Sequence, residues 1–152
     1  MAFLSSMNIV GSGLTAQQLR LDVISENVVN MNTTRTEGGG PYRRKMVVFE
    51  SQEQRDAFRM ALARSQGKLA AGELQNTGGV RIAEIVEDPS DLKLSYDPDH
   101  PDANAEGYVE LPNIDLVKEI TDAMAATQAY SANVTALNTL KAVTSRALEI
   151  GR

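Results

Sequence analysis

Apolar side chains recur along the first part of the chain at alternating intervals of four and three residues: Phe3, Met7, Val10, Leu14, Gln17, Leu21, Ile24, Val28 and Met31, with only Gln17 polar. That spacing predicts a helix whose apolar seam faces a helical partner. Gly11 and Gly13 interrupt it, each weakening a helix by up to ~1 kcal/mol relative to alanine. They signal either close approach of another backbone or a break after the first ten residues. The Asn- and Thr-rich run from Asn30 to Thr34 should end the helix.

A second seam runs from Asn113 to Ile150, a stretch without Gly or Pro. Its apolar or small positions are Leu116, Ile120, Ala123, Thr127, Tyr130, Val134, Leu137, Thr144 and Leu148. Asn113 is the expected N-cap, with Asp115 in the first turn and Gly151 beyond the end. One helix of this span would be about 55 Å long at 1.5 Å per residue. Two seamed helices at opposite ends of a chain most simply pair antiparallel as a coiled coil. The segment between them then emerges from one end of the pair.

That segment reads as short strands and turns. Glu37 to Pro41 is a glycine-rich loop. Strand patterns follow at Tyr42–Phe49, at Val80, Ile82 and Ile85–Val86, at Leu92, Leu94 and Tyr96 as a half-buried alternation, and at Tyr108, Val109 and Leu111. Near residues 52–75 the pattern fits either a short basic helix or a mobile loop. The expected fold is therefore mainly α with a small β part. Residues 1–32 and 113–152 form the helical core, and residues 33–112 a central β-containing segment.

Charge sharpens this picture. No charged residue occurs from Met1 to Leu19 or from Ala123 to Leu140. A helix wet on one side usually carries Lys and Glu there, so these faces suit contact with several neighbours. Gln17, Gln18, Asn27, Asn30, Gln128, Ser131, Asn133 and Asn138 are the candidate subunit-interface residues. A membrane span is disfavoured, because polar residues from Thr127 to Thr139 break any run of ~20 apolar residues. Glu84 to Asp122 holds twelve acids and two bases, whereas Arg43 to Lys68 holds seven bases and three acids. Such opposite patches would suit contacts between copies or related chains, with Arg43, Arg44, Lys45, Asp97, Asp99 and Asp102 as candidates. The net charge of −5 disfavours nucleic acid as a partner. No secretory signal is apparent at the N-terminus.

Candidate chemistry is sparse. Asp97, Asp99, His100 and Asp102 place three carboxylates and the only histidine within a few residues, which could bind a hard cation or serve acid–base chemistry. Pro98 and Pro101 spoil the frame of a calcium loop and favour a rigid turn. Gly38–Gly40 precedes a strand rather than a helix, so it is not a phosphate loop. The chain has no cysteine, hence no thiol nucleophile or thiolate metal site. Neither a cofactor nor an enzymatic activity is expected. A coiled-coil adaptor or chaperone is the remaining alternative.

The run Ser12–Gly13–Leu14–Thr15–Ala16–Gln17, with Arg20–Leu21, Ser25–Glu26–Asn27 and Asn30, resembles the N-terminal signature of flagellar basal-body rod and hook proteins. The stretches Gly39–Lys45, Tyr96–Asp115 and Tyr130–Lys141 and the ending Ala147–Arg152 extend the resemblance almost end to end, towards proximal-rod members. Val28, Val29 and Met31 depart from it, standing where the family often has smaller residues. The resemblance implies a structural rod subunit that transmits motor torque across the periplasm. It also implies export by the flagellar type III apparatus without a cleaved signal, and helical assembly with other copies and other rod proteins.

Overall fold

The computed structural model describes residues 2–52 and 78–150, without the side chains of Ala2, Phe3 and Ile150. Two helices frame it: α1, Ala2–Val29, and α2, Leu116–Ile150. Between them lie β1, Lys45–Ser51, β2, Val80–Glu87, β3, Lys93–Tyr96, and β4, Tyr108–Leu111. The expectations for residues 52–75 lie, beyond Gln52, outside the described residues, as does the Phe3 side chain.

α1 runs unbroken through both glycines. A Cβ on Gly13 would stand 3.1 Å from the Asn133 side chain, so this glycine permits close helix approach. Gly11 meets nothing within 4 Å. Gly11→Ala is therefore expected to stabilise the isolated chain by up to ~1 kcal/mol through helix propensity, read as a rise in urea midpoint.

The helices pair antiparallel. Going along α1, Gly13 lies against Asn133, Arg20 bonds Asp122 and Asn27 bonds Glu119. The contact row on α1 is thus Gly13, Arg20 and Asn27, and Ala16, Val23 and Ile24 are buried beside it. On α2 the buried row is Glu119, Ala126 and half-buried Asn133.

This corrects the expected seam. Each residue advances about 100° around a helix, so Leu14, Leu21 and Val28 lie about that far from the contact row, only half-buried. On α2, Leu116 and Ile120 are 38% and 50% exposed. Glycine, alanine and paired polar groups close the interface, displacing the larger apolar residues to its flank. Tyr130, Val134, Leu137 and Thr144 remain half-buried, as do Met7, Val10 and Met31.

Asp115 caps α2, not Asn113. Its Oδ1 accepts the Val117 N–H at 3.0 Å, and its carbonyl accepts the Glu119 N–H at 2.9 Å. Asn113 is instead engaged with the β segment.

The strands form two antiparallel ribbons. In β1–β2, Lys45 pairs Glu87 and Ser51 pairs Val80, with a register shift between Val48 and Phe49. Its far end meets α1 where Val80 N–H donates to Ser12 Oγ at 3.1 Å. In β3–β4, Ser95 pairs Val109, which is 2% exposed, and Tyr96 pairs Tyr108. Leu94 and Tyr96 point outward, 65% and 66% exposed, contrary to the half-buried alternation expected for them. The Tyr96 and Tyr108 rings meet edge to face at 5.2 Å. Gly107, at φ +82°, allows the ring to lie over the turn, since a Cβ there would stand 3.0 Å from Tyr96 Cε2.

Candidate functional site

A buried polar hub joins both helices to the β segment. Arg44, just before β1, donates from Nε to Glu119 Oε1 at 2.6 Å. Its Nη1 lies 3.5 Å from Asp88 Oδ2, and its Nη2 donates to Asp122 Oδ2 at 3.3 Å. Glu119 is 0% and Asn27 1% exposed. Asn27 Nδ2 donates to Glu119 Oε2 at 3.1 Å and to the Lys45 carbonyl at 2.9 Å. Its Oδ1 accepts the Lys45 N–H at 2.9 Å and the Tyr42 hydroxyl at 3.1 Å. One amide thereby behaves as a strand partner for β1.

Asn113 completes the frame from the other side. Its Oδ1 accepts the Arg44 N–H at 2.9 Å, and its Nδ2 donates to the Asp88 carbonyl and to Ser90 Oγ. Every charge in this low-dielectric pocket has an opposite partner, as burial demands.

The electrostatics follow from that packing. Burial works against the Arg44 charge, but Glu119, then Asp122 and Asp88, outweigh it and hold the guanidinium more firmly protonated than usual. The Tyr42 hydroxyl is pushed up to about 12 by burial and by the carboxylates of Glu26 and Glu119. Asp88 is held below its ordinary 3.8, first by the Ser90 N–H and hydroxyl and then by Arg44.

A depressed carboxylate stabilises the fold fully above its unfolded value and ceases to do so as pH falls through its folded value. Asp88→Asn should therefore lower the urea midpoint at pH 7, with the gap from wild type closing below the ordinary value of 3.8. Parallel midpoint titrations of the two chains check this.

Several expected contact residues are thus committed within the chain. Asn27 and Arg44 are buried in the hub and do not present an outer surface, a correction to their expected roles in subunit contacts. Arg43 reaches the Asp88 and Ser90 carbonyls, and Lys45 pairs with Glu26. Asp102 accepts from Thr34 Oγ1 at 2.8 Å and lies 4.0 Å from Arg35. Asn30 bonds the Glu26 carbonyl. Asp97 and Asp99 are exposed.

The 97–102 stretch forms a turn in which His100 Nδ1 accepts the Asp102 N–H at 3.1 Å. Among the described residues no cluster of three or more His, Asp or Glu side chains could hold a metal ion. A cleft of about 400 Å³ lies between α1, β1 and α2, with Val23, Met46 and Phe49 among its walls and the hub at its edge. Glu119, Asp88, Asp122 and Tyr42 had no individual signal in the sequence.

The outward residues make the other half of the site. Gln18, Gln128, Ser131 and Asn138 are exposed, and Asn133 is half-buried beside Gly13. Gln17 Oε1 is buried without a hydrogen-bond partner. Antiparallel pairing lays the charge-free part of α1 against the charge-free part of α2, giving a two-helix band with no charge on any face. Thr127, Thr135 and Thr139 donate their hydroxyls to carbonyls four residues back. Their donors are satisfied without water, which lowers the polar cost of drying these positions. No helix among the described residues is long and apolar enough to cross a membrane.

Both helices carry the sequence of one class. Residues 7–35 match the family model described as flagella basal body rod protein, and residues 105–150 that of the flagellar basal body rod FlgEFG protein C-terminal. The chain is 46% identical to the flagellar basal-body rod protein FlgC of Bacillus subtilis, covering 97% of each. It is 44% identical to that of Borreliella burgdorferi, covering 99% of this chain and 98% of the relative. Identity to that of Escherichia coli is 39%, over the whole of both. The chain belongs to the FlgC family of flagellar basal-body rod proteins.

Proposed function

We propose that this chain is a structural subunit of the proximal rod, part of the flagellar basal body, and acts without catalysis. It assembles helically with copies of itself and other rod proteins and carries motor torque across the periplasm. The flagellar type III apparatus exports it without cleaving a signal. In the assembled rod the helix pair winds as a coiled coil, and its charge-free band is covered by neighbouring subunits.

The charge-free band carries this reading. Among the described residues the helix pair is covered on the α1–α2 and ribbon sides, and the band strands no ion when packed into a dry wall.

The test separates folding from assembly. Ser131 is exposed, so Ser131→Asp should change the stability of the isolated chain by no more than about 0.5 kcal/mol. Placed in a packed wall, the same carboxylate has no partner. Expected are a normal urea midpoint, absence of the variant from purified basal bodies, and lost motility. Wild-type swimming with the variant present in rods would refute the proposal.

A further inference from the structure

Lys45 bonds the Asn27 amide through both its N–H and its carbonyl, so this residue of β1 faces away from β2. In an antiparallel pair, outward and inward positions alternate along each strand. Arg44 belongs to the inward set, its carbonyl accepting the Asp88 N–H at 2.7 Å. So does Gln52, whose N–H donates to the Gly79 carbonyl at 2.7 Å. The register shift leaves its extra residue, Ala83, in β2, because Val48 pairs Glu84 and Phe49 pairs Ile82. Alternation along β1 is therefore unbroken, and Val47 and Phe49 turn their N–H and C=O groups outward as Lys45 does. Among the described residues β1 has only β2 as a neighbour in its sheet, so this edge is unpaired beyond Asn27.

The edge borders the cleft of about 400 Å³. Val47 and Phe49 line one side, Val23 and Ile24 of α1 and Lys118 of α2 the others. An unpaired edge is a template for another extended chain, and enclosed ligand sites span about 300–1,000 Å³. The charges narrow the choice. Arg20, Arg44, Glu119 and Asp122 are bonded among themselves, and Lys45 pairs with Glu26. Lys118 is exposed and joins no ion pair among the described residues. What fits is an extended backbone with an aliphatic side chain for the Val23–Ile24 wall and a carboxylate for Lys118.

We infer that the cleft takes an extended acidic–aliphatic segment of a different rod protein, added as a further strand along β1. The inference rests on the rod reading and gives one partner its mode of attachment. All four strands of this chain already lie in its own ribbons, so the donor is another chain rather than a second copy. Asn27 closes the edge at Lys45, and the added strand therefore starts opposite Val47. Main-chain bonds to Val47 and Phe49 supply affinity, and the side-chain contacts supply selectivity. This surface lies on the ribbon side, apart from the charge-free band.

The test places the photo-reactive residue p-benzoylphenylalanine at Val47 in cells lacking their own copy, illuminates purified basal bodies and sequences the cross-linked peptide. Lys118 takes the same residue as a second site should the first chain fail to assemble. The expected peptide comes from another rod protein and carries an Asp or Glu beside a Val, Ile or Leu. Capture of this chain's own residues, of a second copy or of nothing in assembled rods would overturn the inference and leave the rod reading intact. Val47→Pro probes the strand pairing itself, since it removes an N–H that β2 does not use, and an edge whose N–H faces outward tolerates proline. Phe49→Pro makes the same test at the other outward position. Either isolated variant should keep wild-type exchange protection in β2, and the cross-link from position 118 should be lost. A cross-link of wild-type yield in both would show contact without strand addition and overturn the inference. Absence of the wild-type chain from basal bodies would overturn the rod reading as well.

Discussion

Replacing Glu119 by alanine should lower the stability of the isolated chain by about 3–5 kcal/mol, the range for removing one partner of a buried ion pair. Glu119 is 0% exposed and takes the shortest of the Arg44 contacts, 2.6 Å. Without it the guanidinium keeps only Asp88 and Asp122, at 3.5 and 3.3 Å, and Asn27 loses one acceptor. Domains of this size are stable by only about 5–15 kcal/mol, so the loss is large against the total. Urea unfolding should show a markedly lower midpoint, and α1 and β1 should lose amide-exchange protection together because Asn27 holds both. Glu119→Gln, which keeps an acceptor oxygen, should fall between. An unchanged midpoint in the alanine variant would show that the hub contributes no net stability.

The second large effect is expected at Ala126, which is 0% exposed at the helix contact. Ala126→Asp forces a carboxylate into the closed contact between α1 and α2, level with Arg20, which already pairs with Asp122 at 3.4 Å. A carboxylate buried in a closed contact with only a share of one half-exposed cation belongs to the few changes that cost more than about 4 kcal/mol, so the helix pair should separate at neutral pH. Circular dichroism should show reduced helix, and exchange protection should vanish from both helices at once. Ala125→Asp, one position away and exposed, should leave the isolated chain folded. Equal damage from both would mean that position on the helix does not matter, and the pairing described above would be wrong.

The elements themselves were legible in the sequence. Heptad spacing marked both helices, and alternation with glycine turns marked all four strands. What escaped was orientation. A seam of larger apolar residues is a good sign of a helix contact, but here Leu14, Leu21 and Val28 lie one residue off the contact row, while Ile24 of the same seam is buried beside it. Gly13 and Ala126 sit in the contact, and their lack of bulk makes them silent in a hydrophobic pattern. Alternation in β3 likewise marked a strand without saying which face is inside, and Leu94 and Tyr96 turned outward while Val109 took the core. The hub was illegible for a different reason. Arg44, Asp88, Glu119 and Asn27 come from four separate segments, and only tertiary structure brings their charges within bonding distance. Asn27 and Arg44 stood out by composition, but their partners made them internal.

Antiparallel pairing of the two ends also fixes the order in which the chain can fold. Asn27 and Glu119 are 92 residues apart, and Arg20 and Asp122 are 102. A chain synthesised from its N-terminus therefore presents α1 long before α2 exists to cover it. Closing so long a loop must precede any reward from the contact, which places this topology among slow folders. Local contacts cannot substitute, since the hub needs both helices. The interval in which α1 waits for its partner is thus built into the connectivity of the chain.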